Sequence, residues 1–227
     1  RYRPAYALAM VTLDTKETIQ VEGGAMVGMS AGMEMETGAS GGLLKSLSRK
    51  MFGGESFFLN TYTGVSEGDS VALAPPLPGD ISVIEMKGET LMVQSGSYLA
   101  SSEGIEVDTK WSGAKTFFGS EVLIMLKVSG TGTLIVSSYG AIHPVTLAAG
   151  QKYVVDTGHL VTFEEHLKFD IKKVAGWKST LFSGEGLVVE LTGPGELSLQ
   201  SRSQDSFLSW LIPKIPKQTT YVSSGSS

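Results

Sequence analysis

With 227 residues, 41% of them hydrophobic, the chain can bury one large core or two ordinary ones. Its net charge of −5 and pI near 5.3 argue against a general nucleic-acid binder, which needs a basic face. It has no Cys, which excludes a disulfide framework and thiolate chemistry and suits a reducing, cytoplasmic setting.

The first ten residues carry Arg1 and Arg3 but no long apolar stretch, so they do not read as a signal peptide. Apolar runs such as 122–126 are far too short to span a bilayer. From Tyr6, the residues Ala7, Ala9 and Val11 alternate with Leu8, Met10 and Thr12, a strand with both faces partly covered. A turn is expected at 14–17. Ile19 and Val21 then alternate with polar neighbours, the period-2 mark of a half-buried strand. After Gly24 comes a strand pair turning at Ala31-Gly32, where Gly suggests a positive φ. In 39–51 the residues Leu43, Leu44, Leu47 and Met51 recur at helical spacing, with Lys45, Arg49 and Lys50 on other faces, which predicts one short helix. An apolar strand at 57–59 and an alternating strand through Val71 and Leu73 follow. The Pro-rich stretch 74–79 is a stiff linker.

The same succession recurs twice. A Gly follows three residues after a Val at Val21/Gly24, Val93/Gly96 and Val155/Gly158, and three residues later stands Val27, Leu99 or Val161. Turns recur at Glu103-Gly104 and Glu165-His166; His166 replaces the Gly and is read as a left-handed turn residue. Phe52/Glu55, Phe118/Glu121 and Phe182/Glu185 precede apolar strands, and alternating strands close each copy. Self-similarity of this kind fixes architecture before anything else. The expected fold is all-β: three tandem β-sandwich or double-stranded β-helix-like repeats in a pseudo-threefold arrangement, with one short helix insert. Repeat one covers about 6–75, repeat two 80–138 and repeat three 139–205. Units of this size bury too little alone, so 1–216 is expected to form one body, with 206–216 as a C-terminal cap and 217–227 as a disordered tail.

The segments PPLPGDI (75–81), SGSYLAS (95–101), VDTGHLVTF (155–163) and GEGLVVELTGPGELSLQSR (184–202) resemble the "altered inheritance of mitochondria, member twenty-four" family. Its prokaryotic branch has long carried the label of a domain of unknown function. The resemblance implies three tandem β units like the tryptophan RNA-binding attenuation protein, a compact relative of the double-stranded β-helix. The fungal member is tied to mitochondrial inner-membrane organisation. No catalytic motif is carried over.

No residue pattern in the chain itself supplies one either. Cupin-type metal sites need an HxH pair, whereas His159 and His166 are seven apart and His143 is isolated. Glu55, Glu121 and Glu185 occupy matching positions, and three carboxylates on one axis would hold a hard cation such as Ca²⁺. A turn carboxylate accepting backbone N–H bonds is favoured, since no Asn/Asp cluster completes an oxygen cage. Gly130-Thr131-Gly132 and Gly193-Pro194-Gly195 lack the GK[ST] ending of a phosphate loop, and no GxSxG occurs. No cofactor is expected.

The residues marked for function by contact are Leu43, Leu44, Leu47 and Met51 of the insert and Phe207, Trp210 and Leu211 of the C-terminal segment. Their readings are an end cap, a subunit interface, or contact with an anionic membrane surface, in that order of preference. The expected protein is a non-enzymatic homo-oligomeric scaffold or interaction protein, a trimer by analogy with ring-forming relatives, cytoplasmic or peripheral to a membrane. The alternatives are a ligand- or RNA-binding module, against which the acidic charge weighs, and a cupin-like metalloenzyme.

Overall fold

The structure, a computed structural model, describes residues 1–37, 51–52, 55–56, 58–108, 115–118, 121–173 and 187–216; 51–52, 55–56, 115–118, 121–122 and 173 are described by backbone alone. These residues are mostly strand, with one short α-helix among them. The first segment holds β1 (Ala9–Leu13), β2 (Thr18–Glu22), β3 (Met26–Met29), β4 (Glu34–Thr37), β5 (Met51–Phe52), β6 (Glu55–Ser56), β7 (Leu59–Thr63) and β8 (Asp69–Leu73). The second holds β9 (Ile81–Gln94), β10 (Tyr98–Ser102), β11 (Ile105–Asp108), β12 (Lys115–Phe118) and β13 (Glu121–Ser137). The third holds β14 (Ile142–Leu147), β15 (Lys152–Asp156), β16 (Leu160–Glu164), β17 (Lys168–Lys173), β18 (Leu187–Thr192) and β19 (Gly195–Gln200), followed by α1 (Gln204–Leu211). The expected insert helix, including Leu43, Leu44 and Leu47, and the tail from 217 lie outside the described residues; Met51 opens β5.

In the first segment β8 pairs antiparallel with β1 and β3, and β7 with β2 and β4. In the third, β19 pairs with β14 and β16, and β18 with β15 and β17. The second segment makes the same pairings with fused strands. Along β13, Thr131 to Ser137 face Lys87 to Ile81 of β9, Met125 to Ser129 face Gln94 to Thr90, and β10 and β11 add on the free sides. The register slips between Ser129 and Thr131, where Gly130 takes φ 121° and Gly88, on the facing strand, φ 105°, values that a Cβ would strain.

Two further pairings join the segments. β10 adds to β2 with Ala100 opposite Val21 and Ser101 opposite Gln20. β16 adds to β9 with Thr162 opposite Val93 and Phe163 opposite Met92. The result is a central eleven-stranded sheet, flanked by two three-stranded sheets, β1-β8-β3 and β15-β18-β17. Each of β3, β10 and β16 carries a bulge against its own segment, leaving Val27, Leu99 and Val161 as the extra residues. Leu99 and Val161 are both fully buried, and in the cores of the preceding segments: Leu99 with Val21 and Tyr62, Val161 with Val93 and Leu126. Val27 is 62% exposed.

The segment starts are tied side by side. Ala7 N–H donates to the Gly79 carbonyl and Asp80 N–H to the Gly140 carbonyl, while within the third segment Ser201 N–H donates to the Ala141 carbonyl. Gly79 approaches so closely that a Cβ there would overlap the Ser138 carbonyl oxygen. Arg3 holds the buried Asp80 carboxylate at 2.6 and 2.8 Å.

Three local expectations change. The turns at Gly32 and Gly104 do not take positive φ; Gly104 is instead required because its backbone abuts the Thr131 carbonyl. His166 is not left-handed either, and its imidazole Nε2 lies 3.0 Å from the Pro194 carbonyl oxygen. Gly96 and Gly158 sit in 3-10 turns (Ser95–Ser97 and Thr157–His159) that lead into joined strands. Gly24, with φ 93°, sits in a plain turn leading into β3, which has no outer strand partner among the described residues.

Candidate functional site

The end of β19, the turn before β16 and α1 enclose an open groove of about 340 Å³ lined by Tyr139, His159, Arg202, Ser203, Phe207 and Trp210, with Ser201 and Ser206 at its rim. Asp156 shapes one wall by accepting the Gly158 N–H at 2.8 Å, which caps the turn carrying His159. Gln200 ties three pieces together: its side chain accepts from Tyr139 N–H and donates to the Gly158 carbonyl, both at 2.8 Å, and its own carbonyl lies 2.8 Å from His159 Nδ1. A carbonyl only accepts, so Nδ1 carries the proton and the neutral ring keeps Nε2 as its acceptor.

Ser203 begins α1 as its N-cap, with Asp205 in the first turn where the helix dipole favours a carboxylate. Phe207 turns inward, edge-to-face with Tyr139 at 6.1 Å between ring centroids. Trp210 stacks on the outer side of Phe207 at 6.2 Å, and Lys214 Nζ stands 5.1 Å from its ring centroid. Leu211 is half-buried, whereas Leu208, Trp210, Ile212 and Ile215 are exposed and no residue of α1 is fully buried. Phe207 therefore anchors the helix and Trp210 presents an apolar, cation-edged face.

Two hydroxyls of the groove serve the backbone: Ser203 Oγ accepts from Ser206 N–H and Ser201 Oγ from Ala141 N–H at 2.9 Å. His143 is exposed on β14. His166 stands 3.7 Å from Glu164, whose carboxylate accepts the Glu196 N–H. Glu55 and Glu121 close tight strand pairs opposite Phe52 and Phe118, and Glu185 lies outside the described residues. Among the described residues no three His, Asp or Glu stand together as a metal site, and no helix is long and apolar enough to cross a membrane. The sequence marked Phe207, Trp210 and Leu211 but missed the Tyr139–Gln200–His159 wall, because those residues belong to three separate strand ends.

These features define an all-β protein with a single short described helix docked at one end of its sheets. The chain belongs to the mitochondrial biogenesis AIM24 family, whose model matches residues 1–202. It is 29% identical over 220 residues to an uncharacterized protein of Streptococcus pyogenes serotype M6, covering 93% of this chain and 88% of that one. It also superposes on the crystal structure of a Streptococcus pyogenes protein with a TM-score of 0.76 at 26% identity, covering 95% of this chain and 97% of the other. The family match ends just before Ser203, so α1 stands outside it.

Proposed function

We propose that the chain is three tandem copies of one β unit, 6–75, 80–138 and 139–205, joined in a row, and that it acts as a non-enzymatic homo-oligomeric scaffold. The observation that carries this reading is the repeated joint. Twice, a strand of one unit extends a sheet of the unit before it and lends that unit's core a bulge residue, Leu99 or Val161. Such units stack on neighbours rather than enclose a reaction centre. The groove hydroxyls of Ser201 and Ser203 hold backbone N–H groups, which supports a structural use of that surface. Native mass spectrometry of the whole chain tests the assembly: the expected species contains three chains, and a monomer at every accessible concentration contradicts it.

A second reading is favoured by Trp210 beside Lys214 with Ile212 and Ile215 exposed: α1 rests on an anionic membrane surface, its aromatic ring at the interface. Flotation with phosphatidylserine vesicles tests it. The full chain floats and a chain ending at 205 does not; equal behaviour of the two contradicts the reading.

A further inference from the structure

The chain ends in two half-built joints. Each internal joint unites two three-stranded sheets into six strands. The first runs β4-β7-β2 onto β10, whose other side pairs with β13 and through it β9; the second runs β11, β13 and β9 onto β16-β19-β14. The two sheets left over, β1-β8-β3 and β15-β18-β17, are the corresponding halves of a third joint. β3 matches β10 and β16, and β15 matches β2 and the second half of β9, yet neither pairs with an outer neighbour among the described residues.

Exposure follows the same division. In β10 and β16 the first four residues are buried; in β3, Met26, Val27 and Met29 are exposed. Val154 of β15 is exposed as well, whereas the matching Gln20 is half-buried and Met92 fully buried. Met26, Val27, Gly28 and Met29 form an uncharged apolar edge without Pro, bulged only on its inner side, the kind of edge that templates further pairing. Among the described residues β3 and β15 do not pair with each other, and a second copy carries the strand that would complete each.

We infer that β3 of one copy pairs antiparallel with β15 of the next, with Gly28 opposite Val155 and Met29 opposite Val154, and that Val27 inserts into the core of the neighbour's third unit. The register is fixed by the two internal joints, where Ala100 faces Val21 and Thr162 faces Val93. The contact is head-to-tail: two different surfaces meet, so copies add in one direction until a ring closes. This assignment rests on the homo-oligomer reading and names the surface that makes it.

The test uses the full chain, which has no Cys of its own. Val27→Asp places a charge on a site that is exposed in the single chain but matches fully buried Leu99 and Val161. The dissociation constant is expected to rise about a hundredfold or more, the scale of an unpaired buried charge, with unchanged circular dichroism. Separately, Met29→Cys and Val154→Cys chains are mixed under mild oxidant, as are Gly28→Cys and Val155→Cys. Successive antiparallel pairs alternate between close and wide spacing, so at least one mixture forms a mixed disulfide. Met29→Cys with Lys152→Cys, out of register, is expected to link at least tenfold more slowly. A wild type that stays monomeric overturns the oligomer reading and this inference together. An oligomer that survives Val27→Asp and yields no in-register link overturns the edge assignment alone.

Discussion

Leu99 and Val21 lie in different thirds of the chain and in one hydrophobic core, with Leu99 fully buried there. The bulge in β10 sends the side chain across the joint rather than into its own unit. Leu99→Ala is therefore expected to cost about 2–5 kcal/mol of unfolding free energy, as for other large buried truncations. Val27→Ala, at the matching but exposed position, is expected to stay within about 0.5 kcal/mol at concentrations where single chains prevail. Urea titration of both variants reads the difference directly.

Arg3 reaches 77 positions along the chain to Asp80, clasping the start of the first unit to the start of the second. The guanidinium hydrogen bonds, helped by the Ile81 N–H, hold the Asp80 carboxyl below its ordinary range against the opposing effect of burial. A depressed carboxyl contributes stability above its unfolded value, about pH 4, and loses it as pH falls through the lower folded value. Asp80→Asn is expected to flatten the fall in stability below pH 4. Arg3→Ala is expected to cost about 1 kcal/mol at pH 7, since the Arg side chain is 59% exposed and partly screened by water. Denaturation midpoints measured from pH 2 to 7 check both.

Glycine substitutions separate close approach from conformational freedom. Gly79→Ala drives a Cβ into the Ser138 carbonyl and the Gly140 nitrogen, both backbone, and is expected to cost about 3 kcal/mol or more. Gly32→Ala has ordinary φ and nothing within 4 Å, and is expected to stay within about 0.5 kcal/mol. Thermal melts of the two proteins give the contrast.

Tyr98 is fully buried, with its phenol oxygen 2.7 Å from Ser101 Oγ. Burial raises its pKa well above the ordinary tyrosine range. The neutral phenol therefore contributes stability that is intact below about pH 10 and declines as pH rises toward the folded value. Ultraviolet titration is expected to show Tyr98 ionising only as the chain unfolds.

Much of the strand order was legible because apolar residues at alternate positions and Gly-marked turns follow from local chemistry: β2 with Ile19 and Val21, β11 with Ile105 and Val107. The sequence also marked the apolar C-terminal residues, but not that Phe207 packs inward on Tyr139 while Trp210 lies on its outer side. The joints were not legible. Val27, Leu99 and Val161 have the same apolar character in sequence, and only register and the bulges decide that two are buried in a neighbouring unit and one lies bare. The sequence placed Gly104 in a turn and Gly79 in a linker, but not the close passage of backbone that each has to allow. The Arg3–Asp80 clasp spans too many residues for spacing to reveal it.

Hydrogen exchange along β3, followed by mass spectrometry at two protein concentrations, tests the shared joint most directly. In the assembled state the amides of 26–29 are expected to exchange as slowly as those of 98–102 and 160–164, and to lose that protection on dilution to single chains. Rapid exchange at 26–29 in a protein shown by mass to be oligomeric contradicts the account.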